Sequence, residues 1–218
     1  MSGDYLNVSE IFCSIQGESS YAGRRSAFIR LFGCNILCSW CDTVYALKGD
    51  KQKQLSHQAI IDQISTYNLN LVELTGGEPL IQDGVDRFIS KLIDLNWELL
   101  IETNGTIDLR NFDSRPIYIV DYKLASAKSE VPFFKPNFAN LKSNDELKFV
   151  IGSKSDFLEA TKVIKEEELE DRVVVNFSPI TEMIKPLELA NLILEAKLNV
   201  RLNLQLHKIL WPNIPSGV

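Results

Sequence analysis

No stretch of the 218-residue chain approaches the ~20 consecutive apolar residues that a bilayer-spanning helix needs. Lysine and arginine are in deficit, 23 against 29 aspartates and glutamates, for a formal net charge of −6. Broad binding to a phosphate backbone needs the opposite balance, so neither nucleic acid nor membrane is an expected partner. Met1-Ser2-Gly3-Asp4 carries an acid and leads into no apolar segment, so no signal peptide is expected and a cytoplasmic protein is. Internal repeats and low-complexity tracts are absent, and no break in composition divides the chain, which predicts one domain over residues 1–218. Cysteine is scarce. Four occur, at 13, 34, 38 and 41, and the last three crowd into one short segment. A secreted disulfide framework would spread them out, so crowding reads as metal ligation.

What is present is ordinary globular material: 45% apolar and 24% charged residues. Short apolar runs predict strands at 8–12, 27–32, 71–75, 98–103, 117–121, 147–151, 173–177 and 200–206. Between several of them lie helix-period stripes: Ile60, Ile61, Ile64 and Tyr67; Val85, Phe88, Ile89 and Leu92; Phe157, Ala160, Thr161 and Ile164; Leu189, Leu192, Ile193 and Ala196. Ser56, Asp83 and Ser155 fit as N-caps, and Pro186 fits a first helical turn. Strands alternating with helices imply parallel pairing through right-handed crossovers, hence an α/β sheet or barrel. A full eight-fold barrel takes about 250 residues, so a shorter, open version is expected. Residues 104–116 and 124–146 carry Gly, Pro, Asp and Asn where crossover helices would fall and predict irregular loops.

Polar clusters close five of the runs: Thr75-Gly76-Gly77-Glu78-Pro79, Glu102-Thr103-Asn104-Gly105, Asp121-Tyr122-Lys123, Ser178-Pro179 and Gln205-Leu206-His207-Lys208. Parallel strands gather their C-terminal ends on one face, so the five point at a common site. Cys34-Asn-Ile-Leu-Cys38-Ser-Trp-Cys41 is the sharpest local signal. Structural zinc wants four protein ligands. The spare candidates, Cys13 and His57, stand at no zinc-knuckle spacing. Three thiolates without a fourth suit a [4Fe-4S] cluster with one iron open to another molecule.

Cys-x3-Cys-x2-Cys with Trp40 before the third cysteine resembles the radical S-adenosylmethionine superfamily. That resemblance implies a partial, open parallel β/α barrel of about six strands, with irregular loops replacing some helices. It further implies a cluster on Cys34, Cys38 and Cys41 and S-adenosylmethionine on the free iron, with Trp40 by the adenine. Gly76-Gly77-Glu78 resembles the segment that holds the methionine amino group. Around this core, Glu10 to Glu18, Phe28-Ile29-Arg30-Leu31 and Cys41-Asp42-Thr43 are similar to the 7-carboxy-7-deazaguanine synthase family, and the later motifs fall in matching order. This narrower resemblance implies conversion of 6-carboxy-5,6,7,8-tetrahydropterin to 7-carboxy-7-deazaguanine and ammonia, on the way to deazapurines such as queuosine. Ile15, Gln16, Gly17, Glu18, Arg30, Thr75, His207 and Val218 are the substrate-binding residues it implies, with Arg30 facing a carboxylate. Thr43 takes the Mg2+ position. Glu102, Asp121, Tyr122, Lys123, Phe177, Ser178, Pro179 and Ile180 join the S-adenosylmethionine set. A one-electron donor such as flavodoxin or ferredoxin and a homodimer complete the implied partners. Ser19 departs from the pattern, where the family often has glycine.

Plainer readings apply elsewhere. Cys13 reads as a packed thiol, His57 as solvent-facing, and the Glu166–Asp171 acids as a solvated helix end. Arg24-Arg25 is too short for a polyanion site. His207 is left between core and pocket, and Trp97 and Trp211 between core and interface. Arg30 could be a structural ion pair, since a charge in an apolar strand must find a partner. Two other functions stand beside this one: an activase that installs a glycyl radical on a partner protein, which shares the cysteine spacing and small size, and a non-enzymatic zinc-binding scaffold.

Overall fold

The computed structural model describes residues 3–47, 52–214 and 216–218; Met1 and Ser2 of the N-terminal segment considered above lie outside them. The chain opens with β1 (Tyr5–Ile15) and β2 (Arg25–Leu31), paired antiparallel with Phe12 opposite Phe28 and Ile15 opposite Arg25. Expected parallel pairing fails here for a simple reason: residues 16–24 are too few for a crossover helix, so the chain turns back as a hairpin. β3 (Lys53–Ser56) adds antiparallel to the other edge of β1. It holds a single apolar residue, Leu55, and so escapes an apolar-run reading.

α1 (His57–Ser65) follows at once, capped by Ser56, whose Oγ accepts from the Ala59 amide at 3.1 Å. The alternation then runs β4 (Leu71–Gly76), α2 (Val85–Asp94), β5 (Glu98–Thr103), β6 (Ile117–Tyr122), a short α3 (Asn137–Asn140) and β7 (Glu146–Ile151). It continues with α4 (Lys154–Glu166), β8 (Val174–Pro179), α5 (Pro186–Ala196), β9 (Arg201–Leu202) and α6 (Leu206–Leu210). One mixed sheet results, in the order β3-β1-β2-β4-β5-β6-β7-β8-β9, parallel from β2 onward. Among the described residues β3 and β9 share no ladder, so the barrel is open. The two irregular connections hold short turns at Leu109–Asn111 and Ala125–Ala127 and the brief α3, as expected.

Two caps sit elsewhere than predicted. α2 is capped by Gly84, not Asp83, in a left-handed conformation (φ 84°) that favours glycine. α4 is capped by Ser153, whose Oγ accepts from the Asp156 amide at 3.1 Å, while Ser155 lies inside the first turn. Pro186 does open α5. The strand expected at 200–206 shrinks to two residues on the sheet edge, and the following chain turns into α6. His57 is also corrected: it is buried and packs on Phe88 with ring centroids 5.0 Å apart.

Strand alternation splits the apolar residues into two cores. Ile29, Leu31, Val72, Leu74 and Ile101 face outward and are covered by Ile60, Ile64, Phe88 and Leu92 of α1 and α2. Each fully buried side chain of this kind contributes about 1.5–3 kcal/mol. Inside the sheet's curve Leu71, Leu100 and Ile119, with Tyr21 and Ile117 against them, form a small plug. Above that plug the inward positions turn polar.

Candidate active site

A cavity of about 900 Å³ opens above the plug, at the C-terminal ends of the parallel strands. Loop 16–24 forms one wall. It is tied into the barrel by Glu146 of β7, which accepts from the Ser20 amide at 3.0 Å. Ser19 there adopts φ 62°, its Oγ accepting from the Tyr21 amide, so the position that often carries glycine in the family is one where glycine is least strained.

The cysteine loop forms the opposite wall. All four cysteines are free thiols, and Cys34, Cys38 and Cys41 line the cavity, close enough that Cys38 feels the other two. Burial pushes the Cys34 and Cys38 thiols up. Ser39 pins the loop to the chain after β6 through its amide to Ala127 O (3.0 Å) and its hydroxyl to Ser126 O (2.8 Å). Asn104 donates Nδ2 to Cys34 Sγ at 3.8 Å, and Cys41 Sγ lies 3.7 Å from Thr43 Oγ1. Trp40 also lines the cavity; Lys123 Nζ stands 5.1 Å from its ring centre, and its Nε1 is buried without a partner. Cys13 sits on β1 opposite Ala27.

Gly76 and Gly77 bring β4 against this loop. A Cβ on Gly77 would meet the Gly33 carbonyl oxygen at 2.0 Å and Cys34 Cβ at 2.8 Å; one on Gly76 would meet Leu31 O at 2.2 Å. Glu78 turns away from the cavity wall. It is fully buried and accepts from the Asn104 amide (2.6 Å), Thr103 Oγ1 (2.9 Å) and the Leu80 amide (3.0 Å). Burial outweighs those donors and pushes its carboxyl up to about 7.

Charge gathers on the inward faces of the strands. The register sets Lys148 of β7 beside Asp121 of β6. Lys148 Nζ reaches Glu18 Oε2 (2.8 Å), Asp121 Oδ1 (3.2 Å) and Glu102 Oε1. Burial opposes the ammonium, but the three carboxylates outweigh it and hold it well above the usual lysine range. Thr75 donates to Glu102 Oε2 at 3.0 Å, and Lys123 pairs with Asp121 Oδ2 at 2.7 Å. Arg30 gives its Nε to Glu10 at 2.7 Å, an oxygen that Tyr45 also reaches, so the ion-pair reading holds alongside a place on the cavity wall.

The tail closes the top. Gly17 O accepts from the Leu206 amide at 2.9 Å, and a Cβ on Gly17 would strike His207 Nδ1 at 2.5 Å. Ile15, Gln16, His207, Trp211 and Val218 line the cavity, as do Pro179 at the end of β8 and Ile180 after it. Three further expected site residues are absent from the wall. Tyr122 packs among Phe133, Phe138 and Phe149, and Phe177 among Phe149 and Phe157, because alternation turns both outward. Ser178 donates to Asn203 O at 2.8 Å. Trp97 packs against the outer core. Among the lining residues that were not anticipated, Glu73 and Lys148 are the charged ones set on strand faces. Each is a charge at an inward position of an otherwise apolar strand, and that period-two placement was the signal available.

An open, mostly parallel barrel carrying three cysteines on the loop after β2, against a glycine cradle, defines a radical S-adenosylmethionine enzyme, and residues 28–127 match that superfamily. Membership carries use of S-adenosylmethionine and an iron–sulfur cluster in general. The chain is 36% identical over 228 residues to the 7-carboxy-7-deazaguanine synthase of Koribacter versatilis, covering 98% of this chain and all of that one. It is 38% identical to the synthase of Clostridium acetobutylicum, covering 97% and 98%. The chain belongs to the 7-carboxy-7-deazaguanine synthase family. In fold it is similar to QueE from Escherichia coli, at a TM-score of 0.76 and 24% identity over 92% of this chain and 94% of that one. Among the described residues no helix is long and apolar enough to cross a membrane.

Proposed function

We propose that this chain, as a single domain, converts 6-carboxy-5,6,7,8-tetrahydropterin to 7-carboxy-7-deazaguanine and ammonia. The observation that carries the reading is the meeting of three half-buried thiols and a glycine cradle with a cavity of about 900 Å³ that carries charged side chains on a mixed wall, room for S-adenosylmethionine beside a bicyclic substrate. Full-length likeness to synthases of that name supports the substrate.

The donor set fits a cluster. Among the described residues no three His, Cys, Asp or Glu side chains converge as a single ion requires. A cluster takes its thiolates at three separate irons, so the cysteines need share a loop but not a point. When bound, a reduced [4Fe-4S] cluster with S-adenosylmethionine supplies a 5′-deoxyadenosyl radical for hydrogen abstraction, and Mg2+ supplies a Lewis acid for the substrate carboxylate.

The chain's own residues do the rest. Cys34, Cys38 and Cys41 hold the cluster and must lose their protons to do so, with Lys123 favouring the anion at Cys38. Asn104 tunes Cys34 through its N–H···S contact. Gly76 and Gly77 offer backbone to the methionine end, while Glu78 braces that turn from behind. Trp40, Asp121, Lys123, Pro179 and Ile180 flank the nucleoside. Arg30, held at Nε, still has its outer nitrogens for a carboxylate. Thr43 offers Mg2+ one hydroxyl, which suits an ion that keeps several waters and binds with its substrate. Ile15, Gln16, Gly17, Glu18, Thr75, His207 and Val218 surround the pterin and keep water from it. An external one-electron donor such as a flavodoxin or ferredoxin and a homodimeric state accompany this reading. A glycyl-radical activase fits less well, because the α6 segment lies over the cavity where a partner's backbone would have to enter.

The test is anaerobic reconstitution with iron, sulfide, S-adenosylmethionine, reductant and the carboxypterin. Mass spectrometry should find the deazaguanine acid and equimolar ammonia. Intact cluster with no product would refute the assignment. Cys38→Ala should lose the cluster's absorption and all turnover, and Thr43→Ala should blunt the response to added Mg2+ more than cleavage of S-adenosylmethionine.

A further inference from the structure

Glu73 stands at the floor of the cavity, on the inward face of β4. Its in-register neighbours are Phe28 on β2 and Leu100 on β5. Two residues earlier on the same face, Leu71 belongs to the apolar plug; two residues later, Thr75 serves Glu102. The residue is 4% exposed, lines the cavity, and has a buried Oε2 with no hydrogen-bond partner. Lys148 pairs with Glu18, Glu102 and Asp121 and Arg30 gives its Nε to Glu10, and among the described residues neither cation comes within ion-pair distance of Glu73. A leucine here would simply extend the plug. An unanswered carboxyl in its place costs stability, which points to a ligand that answers it.

We propose that Glu73 is a specificity-determining residue that reads the ring amide of the bicyclic substrate, an N–H beside a C=O, from the cavity floor. This rests on the pterin reading above and deepens it. Burial, with the Glu102 and Glu18 charges near and only partly offset by Lys148 and Arg30, keeps the proton on Glu73. A carboxylic acid presents O–H beside C=O and so forms two antiparallel hydrogen bonds with a ring amide, whereas a carboxylate can only accept. The 2-amino group is left to loop 15–18. Both pterin and deazaguanine keep this amide, because the ring contraction happens in the other ring. The contact is therefore equal in ground and transition states and acts on KM rather than kcat.

The experiment compares wild-type, Glu73→Gln and Glu73→Leu holoenzymes loaded with S-adenosylmethionine. An amide keeps a neutral donor beside an acceptor, so Glu73→Gln should hold KM within about threefold, while Glu73→Leu raises it about tenfold or more at nearly unchanged kcat. A second readout is thermal unfolding of the same holoenzymes without substrate. Glu73→Leu should raise Tm, since it fills the floor and removes an unpartnered carboxyl. The raised folded pKa of Glu73 means wild type loses stability as pH rises through it, so Glu73→Gln should gain on wild type with pH. A lowered Tm in Glu73→Leu with unchanged KM would make the role structural and overturn the proposal. Glu73→Gln as impaired as Glu73→Leu would overturn the neutral pairing. Failure of wild type itself to convert the pterin would overturn the parent reading and this one together.

Discussion

Lys148 is one buried ammonium serving three carboxylates on the cavity wall. Taking out a single partner of a buried ionic group leaves uncompensated charge, at about 3–5 kcal/mol. Lys148→Met is expected to lose that much in urea unfolding, and substrate binding with it, although the methionine fills the same volume. Glu102 shows the other side of the network. Burial alone would raise its carboxyl, yet Lys148 and Thr75 hold it well below the ordinary range. A folded pKa below the unfolded one gives stability that is present above the unfolded value and lost as pH falls through the folded value. The advantage of wild type over Glu102→Gln should therefore be full at neutral pH and vanish in acid, read as the difference in Tm across a pH series. Glu73 slopes oppositely. Two carboxyls a strand apart thus carry opposite signatures, and neither was legible in the sequence. Charge at residues 73 and 148 stood out only once β4 and β7 were known to face inward at those positions.

Elements were legible where a single physical signal set them. The long apolar runs of β4 to β8 and the stripes of α1, α2, α4 and α5 needed no tertiary help. Boundaries set by backbone geometry were not: Gly84 caps α2 through a left-handed turn, which no side-chain rule assigns over the neighbouring Asp83. The cysteine motif was legible by spacing, but its distance from Gly77 was not, because that contact joins residues far apart in the chain. Gly77→Ala tests it. The added methyl would strike the Gly33 backbone, so S-adenosylmethionine affinity should fall more than tenfold, measured by equilibrium binding to the reconstituted protein. Ser153→Ala is the contrast on a remote element. Losing this N-cap should cost about 1 kcal/mol and lower Tm by about 2–4 °C, with turnover unchanged.

At the scale of the whole molecule, the barrel is an open sheet whose mouth is finished by chain from both ends: loop 16–24 from the start and residues 203–214 from the finish. The second of these read as a continuing strand in the sequence and is instead a short helix, since β9 offers two residues of ladder before the chain must cross to Gly17. One visible fastening is the ion pair between Lys208 Nζ and Asp42 Oδ2 at 3.1 Å. Both side chains are well exposed, so it contributes under about 1 kcal/mol. Closure must then come from the cavity-lining side chains, Gln205 on Glu18 (2.8 Å), His207 on Gly17, and Trp211. The expected consequence separates the two. Lys208→Ala should leave Tm and substrate affinity within experimental error. Removal of residues 204–218 should keep the cluster's absorption and allow S-adenosylmethionine cleavage, but raise the substrate KM at least tenfold and let cleavage run without product. Equal damage from both variants in binding and product assays would show that the ion pair, not the packed side chains, holds the mouth shut.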